Sequence, residues 1–396
     1  MKYVQLKKYF HINERECNEI YLKRFESESS HKLGISIHGY ECFYMNNDEI
    51  INLIGQIYEI NTWLEKTLRT ENLPLPSHHY LILRSLIEEI RSSNRIEGIY
   101  STRKEIQDMI MNEPPLKYKR FYGMVHKYAK LVQESHFQIQ TSSDIRDLYD
   151  DILLDDILEE NQKDYPDGII FRKETVEINS GNKVLHKGII GEKNIIEMME
   201  HSLKILNDDS INFLIRIAIF HYLFEYIHPF YNGNGRMGRF IASGYLSNHL
   251  NTLSALQLSI ACLHNTKTYY DAFEMTNDIR NKADLTIFII HFLEIYLSGL
   301  KELQENIQMT MFTYQNIKKK IHSHVNEKHH ELVEILLQST LFGPSGLTMS
   351  ELVELTSLTE QTLRRNIKEI NQTHQIIKVN NRNKPYQYTI DIDNII

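Results

Sequence analysis

Apolar residues recur at helical spacing along most of this chain. Between residues 48 and 70, and again from His79 to Ile96, they fall at every third or fourth position, which predicts amphipathic helices. Gly98 follows the second segment directly and suits a helix C-terminus. The same periodicity predicts further helices at 102–112, 120–138, from Glu192 onward, 211–227, 235–249, 267–277 and 284–320. The fold class is therefore expected to be mainly α.

One segment breaks the helical pattern. Residues Gly168 to Ile189 are rich in β-branched side chains and are centred on the sequence Asn-Ser-Gly-Asn at 179–182. Turn-forming residues between two β-prone runs predict a hairpin.

The last 70 or so residues show a different order of elements. A helix is predicted at His329–Leu341, and two more at Met349–Leu355 and Thr359–Asn371 are joined by a short turn. Two strands around a polar loop follow within 375–390. Helix, helix-turn-helix and hairpin predict a winged-helix domain. With a boundary in the polar segment 321–328, we expect three parts: an N-terminal helical region at 1–115, a core at 116–320 and a winged helix-turn-helix domain at 326–396.

The composition is that of a globular chain with a sizeable core, at 42% hydrophobic and 24% charged residues. The net charge of −8 argues against a protein whose main task is to coat nucleic acid. The three cysteines lack metal-ligand spacing, which favours a reducing compartment. The apolar stretch from Ile211 to Phe230 contains charged residues and predicts a buried helix, with no membrane association. Because no secretory signal is recognised at the start, we expect a cytoplasmic location.

Candidate chemistry is concentrated in HPFYNGNGRMGR, from His228 to Arg239. A Gly-Asn-Gly-Arg turn that opens a helix suits an anion, because backbone N–H groups and the helix N-terminus both face it. Arg236 and Arg239 are three residues apart and project from one helix face, where guanidinium groups can bind phosphates bidentately. His228 could accept a proton from an attacking hydroxyl. Taken alone, His228 is more simply a core histidine, but the whole arrangement favours a site for a polyphosphate such as a nucleotide.

This segment resembles the signature of Fic domains, HPF-x-(D/E)-GNGR-xx-R. The eight matching positions are His228, Pro229, Phe230, Gly233, Asn234, Gly235, Arg236 and Arg239. The hairpin after Phe171-Arg172 resembles the family's flap, and TKTYYDAFEMTND resembles the segment that closes over the nucleotide. The stretch KADLTIFIIHFLEIY resembles the last core helix, so the resemblance spans roughly residues 80 to 300.

The resemblance implies a protein adenylyltransferase that uses ATP and Mg²⁺ to attach AMP to a Tyr, Ser or Thr hydroxyl of a protein, itself included. His228 would be the general base, and the backbone of 233–236 would form the anion hole. Asn234 would orient the phosphates, Arg236 would bind them and Arg239 would reach the γ-phosphate. The target protein would bind along the flap as an added strand. The implied nucleotide-binding residues are Val176, Glu177, Ile178, Asn179, Asn232, Gly233, Asn234, Gly235, Arg236, Arg239, Tyr270 and Asn277.

Position 232 departs from the family pattern, which has an acid there to hold Mg²⁺. Asn232 offers only a neutral carbonyl oxygen, whereas magnesium is usually held by carboxylates together with substrate phosphates. Asn232 is therefore predicted to be a weak metal ligand. Transfer should be slower than in an acid-bearing relative, but not abolished.

A second motif would oppose the first. Ser93, Glu97 and Gly98 resemble the family's inhibitory motif, (S/T)-xxx-E-(G/N), in its position before the core. The resemblance implies that the Glu97 carboxylate pairs with Arg239 and so occupies the group that the γ-phosphate needs. Taken alone, the same residues describe a surface glutamate before a C-capping glycine. Some relatives use this glutamate to position water and remove AMP, so a reverse activity stays open.

The predicted winged helix carries several cations, namely Lys328, Arg364, Arg365, Lys368, Lys378, Arg382 and Lys384. These seven stand against nine acidic residues in 326–396, so the domain as a whole is not basic. Protein interaction or a homodimer is at least as favoured as DNA binding. The alternative function is a DNA-binding regulator whose Fic core, weakened at position 232, senses nucleotide. The target protein, the modified residue, the oligomeric state and the signal that relieves inhibition are left open.

Overall fold

The computed structural model describes residues 2–69, 73, 75–111, 119–133, 136–180, 183–381 and 385–395. The chain is mainly helical, as predicted, and its strands form small antiparallel sheets. It packs as two compact units, one of residues 1–62 and 88–300 and one of residues 63–87 and 301–396. The predicted domain boundaries stay predictions, and the segment 321–328 lies inside the second unit.

The elements are named here in chain order. The first part of the chain contains α1 (Leu6–Ile12), α2 (Glu14–Phe25), β1 (Ser30–Ile37), β2 (Tyr40–Met45), α3 (Asp48–Arg69), α4 (Leu75–Ile96), α5 (Arg103–Met111), α6 (Tyr122–Gln133), α7 (Ser142–Tyr149) and α8 (Asp155–Glu160). Next come β3 (Glu177–Ser180), β4 (Lys183–Lys187), α9 (Glu192–Leu206), α10 (Phe213–Ile227), α11 (Asn234–Ser247), α12 (Thr252–Ala255), α13 (Leu258–His264) and α14 (Thr266–Asn277). The last are α15 (Thr286–His324), α16 (His330–Phe342), β5 (Leu347–Thr348), α17 (Met349–Thr356), α18 (Glu360–Thr373), β6 (Ile377–Asn380) and β7 (Gln387–Ile390).

The predicted helices are all present within a few residues, and so is the β3–β4 hairpin. Its predicted turn residues Gly181 and Asn182 lie outside the described part of the chain. Helix α4 begins four residues before the predicted His79, and Pro76 lies in its first turn, where a missing N–H is tolerated. The hairpin of β1 and β2 was not predicted. The signals for it in the sequence were weak: two apolar residues at alternate positions, Ile35 and Ile37, and one glycine in the turn. In the structure this glycine, Gly39, takes a positive φ of 82°.

Helix α10 forms the centre of the first unit. Every one of its side chains is buried except Glu225, because the helix is apolar around its whole circumference. It packs against α9 and α11. Within the described residues, no helix is both long and apolar enough to cross a membrane.

A buried carboxylate holds α4 against this unit. Glu89 is fully buried and accepts hydrogen bonds from the backbone N–H groups of Ser259, at 2.9 Å, and Ile260, at 3.3 Å. The Ser243 hydroxyl also donates to it at 3.2 Å. These backbone donors open α13, where the helix dipole favours negative charge. Burial nevertheless raises the pKa of Glu89.

Glu89 also fixes how the C-terminal end of α4 is rotated about the helix axis. Ser93 and Glu97 follow it at intervals of four residues, so the three side chains share one side of the chain's helical path. Fixing Glu89 therefore fixes where the next two side chains point.

The second unit ends in the order of elements that was predicted for a winged helix. Helices α16, α17 and α18 are followed by the β6–β7 hairpin, and β5 completes a three-stranded sheet in the order β5-β7-β6. Thr348 and Glu351 form a capping box that starts α17. Ser357, with a φ of 55°, ends it in a left-handed conformation.

Exposed ion pairs occupy several of the cations in this unit. The pairs are Arg364–Glu360, Arg365–Glu369, Lys328–Glu369 and Lys378–Asp391. Arg382 and Lys384 lie outside the described residues. Since each carboxylate cancels part of the positive potential, this surface offers little to attract a nucleic acid. DNA binding stays a prediction that is not favoured.

We expect Glu89→Ala to destabilise the first unit by about 2–4 kcal/mol, because it leaves buried backbone N–H groups unpaired. The free energy of unfolding, measured in urea, provides the test. Glu88→Ala is the matched control: Glu88 forms partly exposed ion pairs with Arg91 and Arg103, and its loss should cost less than about 1 kcal/mol. Equal losses for the two variants would contradict the anchoring role of Glu89.

Candidate active site

The motif HPFYNGNGRMGR forms the loop between α10 and α11 and the first residues of α11. His228 caps α10 in a left-handed conformation with a φ of 53°, and its N–H donates to the carbonyl of Phe224 at 2.9 Å. Gly233 is also left-handed, with a φ of 83°. A Cβ there would lie 2.9 Å from the side chains of Leu153 and Ile157, so glycine is required for both conformation and space. The chain can therefore turn from one buried helix into the next within six residues.

Asn234 closes this loop through its side chain. Its Nδ2 donates to the carbonyl of Phe230 at 2.8 Å, and its Oδ1 accepts from the Phe230 N–H at 3.0 Å. Phe230 is buried and stacks on Tyr149 with ring centroids 3.7 Å apart. Because the amide is engaged with the loop, any contact of Asn234 with phosphate would fall to its backbone N–H.

A cavity of about 460 Å³ opens at this loop. The predicted residues that line it are Glu97, His228, Asn232, Gly233, Asn234, Gly235, Arg239, Tyr270 and Asn277. They come from the turn after α4, from the loop together with the start of α11, and from α14, so the fold brings three separate parts of the chain to one place. Arg236 and the flap residues Val176 and Glu177 are not part of this lining, and Ile178 and Asn179 lie in β3.

Arg239 is bound to the end of α4. It is buried, and its Nη2 donates to the Glu97 carboxylate at 2.8 Å and to the Ser93 carbonyl at 2.9 Å. Its Nε donates to the Ser93 hydroxyl at 3.2 Å. Burial alone would lower the pKa of Arg239, but the Glu97 carboxylate, together with Tyr269 and Cys262, opposes that shift, and the net effect is a raised pKa. The contact implied by the Ser93-x-x-x-Glu97 motif is therefore present.

Gly98 completes this motif. It follows α4 with a φ of 74°, and its N–H donates to the carbonyl of Arg95 at 3.0 Å. A side chain at this position would be strained, so glycine allows the chain to leave the helix directly after Glu97.

The Glu97 carboxylate covers the glycine turn itself. A Cβ on Gly235 would clash with Glu97 Oε1 and would lie 3.0 Å from the Arg239 guanidinium. Gly235 is in the first turn of α11, where the helix N-terminus attracts anions. Glu97 thus occupies a position that a phosphate would favour.

Arg236 is buried and incompletely paired. Its Nε and Nη1 have no hydrogen-bond partner among the described residues. Burial lowers the pKa of Arg236, while Glu97 and Asp156 oppose that shift. A buried guanidinium with orphaned donors is costly unless an anion satisfies it. This position fits a phosphate-bearing substrate.

Asn232 has one side-chain oxygen, and it is engaged. Oδ1 accepts from the N–H of Gly233 at 2.7 Å, and Nδ2 donates to Asp164 at 3.3 Å. Within the described residues, no group of three or more His, Cys, Asp or Glu side chains could hold a metal ion. Any Mg²⁺ here would depend on this single amide oxygen and on substrate phosphates, which is a weak fit.

A family model described as the Fic/DOC family matches residues 139–246. The chain carries a Fic domain. The fold resembles the crystal structure of a Fic family protein from Desulfovibrio desulfuricans G20, with a TM-score of 0.52 and 20% identity over 88% of this chain and 97% of that one. A more distant match is a Fic-1 fragment from C. elegans, with a TM-score of 0.42 and 16% identity over 64% of this chain and 71% of that one.

Helix α14 supplies two predicted residues to the cavity, and one of them is held by the buried helix α10. Asn277 Oδ1 accepts a hydrogen bond from the Tyr222 hydroxyl at 2.8 Å. Tyr270 lines the cavity with a partly exposed ring. An aromatic face and an amide at the cavity wall can contact a purine base.

Glu225 is a cavity residue that our sequence reasoning missed. Its carboxylate lies 4.0 Å from His228 Nδ1, and its Oε1 has no partner among the described residues. Burial, with a further contribution from Glu97, raises the pKa of Glu225 to about 8. The group is therefore mainly neutral near pH 7. A single acid in an otherwise apolar helix was the signal that could have identified it.

We expect the pKa of Glu225 to make stability fall as pH rises. Between its ordinary value of 4.5 and about 8, the native state keeps a proton that the unfolded chain releases, so the free energy of unfolding decreases through that window. Glu225→Gln removes this pH-dependent contribution to the free energy of unfolding. The difference in unfolding temperature, variant minus wild type, should therefore increase from about pH 5 to pH 8. Parallel curves across the series would contradict the raised pKa.

Proposed function

We propose that this protein is an autoinhibited adenylyltransferase that moves AMP from ATP to a Tyr, Ser or Thr hydroxyl of a protein, itself included. The observation that carries the proposal is the ion pair between Arg239 and Glu97 across the glycine turn. A Fic loop with an anion-binding turn supports transfer, and the glutamate that fills this turn supports inhibition.

His228 would act as the general base. A backbone carbonyl, that of Glu225, lies 3.4 Å from His228 Nδ1 and can only accept a hydrogen, which leaves Nε2 as the basic nitrogen. The attacking hydroxyl would lose its proton to Nε2 while its oxygen bonds to the α-phosphorus. The bond from that phosphorus to the β-phosphate oxygen then breaks, and pyrophosphate leaves.

The remaining residues would stabilise charge. Backbone N–H groups at 233–236 and the guanidinium of Arg236 are suited to the phosphates as negative charge develops. Mg²⁺, when bound, would neutralise phosphate charge, and Asn232 is the residue that would contact it. Glu97 opposes the reaction twice, because it occupies Arg239 and places a negative charge where phosphate would lie.

We expect Glu97→Gly to raise self-adenylylation at least about tenfold, the change expected when roughly 1.4 kcal/mol of competing interaction is lost. Intact-mass measurement of the purified protein after incubation with ATP and Mg²⁺ would detect the AMP adduct. Adding His228→Ala should abolish incorporation, and Glu88→Gly on the same helix should leave the wild-type level. Equal incorporation in wild type and Glu97→Gly would contradict autoinhibition.

The amide at position 232 supports an alternative function, in which the weakened core senses nucleotide and the C-terminal unit acts as a DNA-binding regulator. The same assay separates the two proposals. Transfer that depends on His228 favours the enzyme, whereas nucleotide binding without transfer by the Glu97→Gly protein favours the sensor. Removal of AMP from a modified target would indicate the reverse activity.

In the Glu97→Gly background, we expect Asn232→Asp to lower the Mg²⁺ concentration for half-maximal rate by roughly tenfold and to raise the rate, because a carboxylate binds Mg²⁺ better than an amide. A titration of Mn²⁺ binding followed by electron paramagnetic resonance provides a measure besides activity. Asn232→Ser, which supplies no charge, is the control. Unchanged metal dependence and rate in Asn232→Asp would refute the assignment of position 232.

A further inference from the structure

One buried cation of the first unit binds only backbone carbonyls. Arg172 is fully buried at the base of the flap, and no carboxylate of the described residues lies within ion-pair distance of it. Its Nε donates to the carbonyl of His228 at 2.7 Å. Its other donors reach the carbonyls of Ile227, Glu174 and Ile189 at 3.2, 2.5 and 3.0 Å. Burial lowers the pKa of Arg172, which means that keeping this charged side chain away from water costs free energy.

Two of these carbonyls belong to the end of the helix that carries the candidate base. The last carbonyls of a helix have no donor within the helix, and they form the negative end of its dipole. Arg172 satisfies those of Ile227 and His228 with a positive charge. His228 is left-handed, with a φ of 53°, a conformation that is strained for a non-glycine residue. The guanidinium therefore stabilises the backbone turn that orients the His228 ring.

The other two carbonyls belong to the flap. Glu174 lies just before β3, and Ile189 lies just after β4. Backbone hydrogen bonds join the same parts: the Arg172 N–H donates to Pro229 O at 3.1 Å, and the Ile189 N–H donates to Ile227 O at 3.1 Å. A side chain on Gly188 would collide with the Arg172 guanidinium, so the packing is close.

We propose that Arg172 is a positioning residue that couples the flap to His228. One planar guanidinium binds the segments on both sides of the hairpin and also the end of α10. The strand that would pair with a target and the base that would activate its hydroxyl are therefore held by the same side chain. A purely structural arginine would satisfy one element, whereas the donors of Arg172 are divided between two. The inference rests on the proposed function, since it assigns His228 as the base.

The test uses the full chain in the Glu97→Gly background. Arg172→Lys keeps the charge but loses the planar fork that reaches four carbonyls. We expect kcat for adenylylation to fall at least about tenfold, while the KM for ATP changes less than about threefold, because the nucleotide site keeps its own residues. Backbone amides of β3, β4 and Gly188, and those of Ile227 and His228 at the end of α10, should exchange with deuterium faster. Lys173→Gln, a change at the exposed neighbouring position, should alter neither measurement.

Two readouts keep the coupling separate from the proposed function. If the Glu97→Gly parent transfers no AMP, the proposed function fails, and hydrogen exchange at the flap and at Ile227 and His228 still decides whether Arg172 joins them. If Arg172→Lys leaves both kcat and flap exchange as in the parent, the coupling is refuted. If exchange rises at the flap alone and not at Ile227 and His228, Arg172 supports the flap only, and the proposal is equally overturned.

Discussion

The site depends on one electrostatic interaction, the pairing of the buried Arg239 guanidinium with an anion. Arg239 is almost inaccessible to solvent, and an unpaired charge in such a position is strongly unfavourable. In this structure Glu97 supplies the anion, assisted by the Ser93 carbonyl and hydroxyl. A phosphate could satisfy the same donors. Under the proposed function, the carboxylate and a phosphate would compete for this one buried cation, and whichever binds more tightly would decide the state of the protein.

The helices around this pair make the competition steric as well as electrostatic. Glu89 anchors α4, so Glu97 is carried directly over Gly235, where α11 begins. Glycine at this position leaves room for either the carboxylate or a phosphate, and a larger residue would leave room for neither. Glu225 stays mainly neutral beside them and so adds little charge of its own against a phosphate.

Much of the fold could be predicted because its signals are local. Helical periodicity identified the helices of the core and of the C-terminal unit, and turn residues identified the β3–β4 hairpin. The β1–β2 hairpin escaped because its strands bury few residues and its turn lacks an Asn-Gly pair. Glu225 and Arg172 escaped for another reason. Being the single acid of α10 does not by itself show that Glu225 would line the cavity, and nothing near Arg172 in the chain shows that it would bind carbonyls up to 56 positions away.

The sequence by itself determined the mainly helical fold, the loop that begins at His228 and the presence of a glutamate motif ahead of it, since each depends on residues close together in the chain. Local spacing could not show that Glu97 reaches Arg239, which lies 142 positions further on, although the resemblance to the Fic inhibitory motif implied this contact. Only the tertiary structure decided that contact, along with the closure of the loop by Asn234 and the clamp formed by Arg172. The physical reason is that burial and pairing of charges are properties of packed helices, which local spacing does not encode.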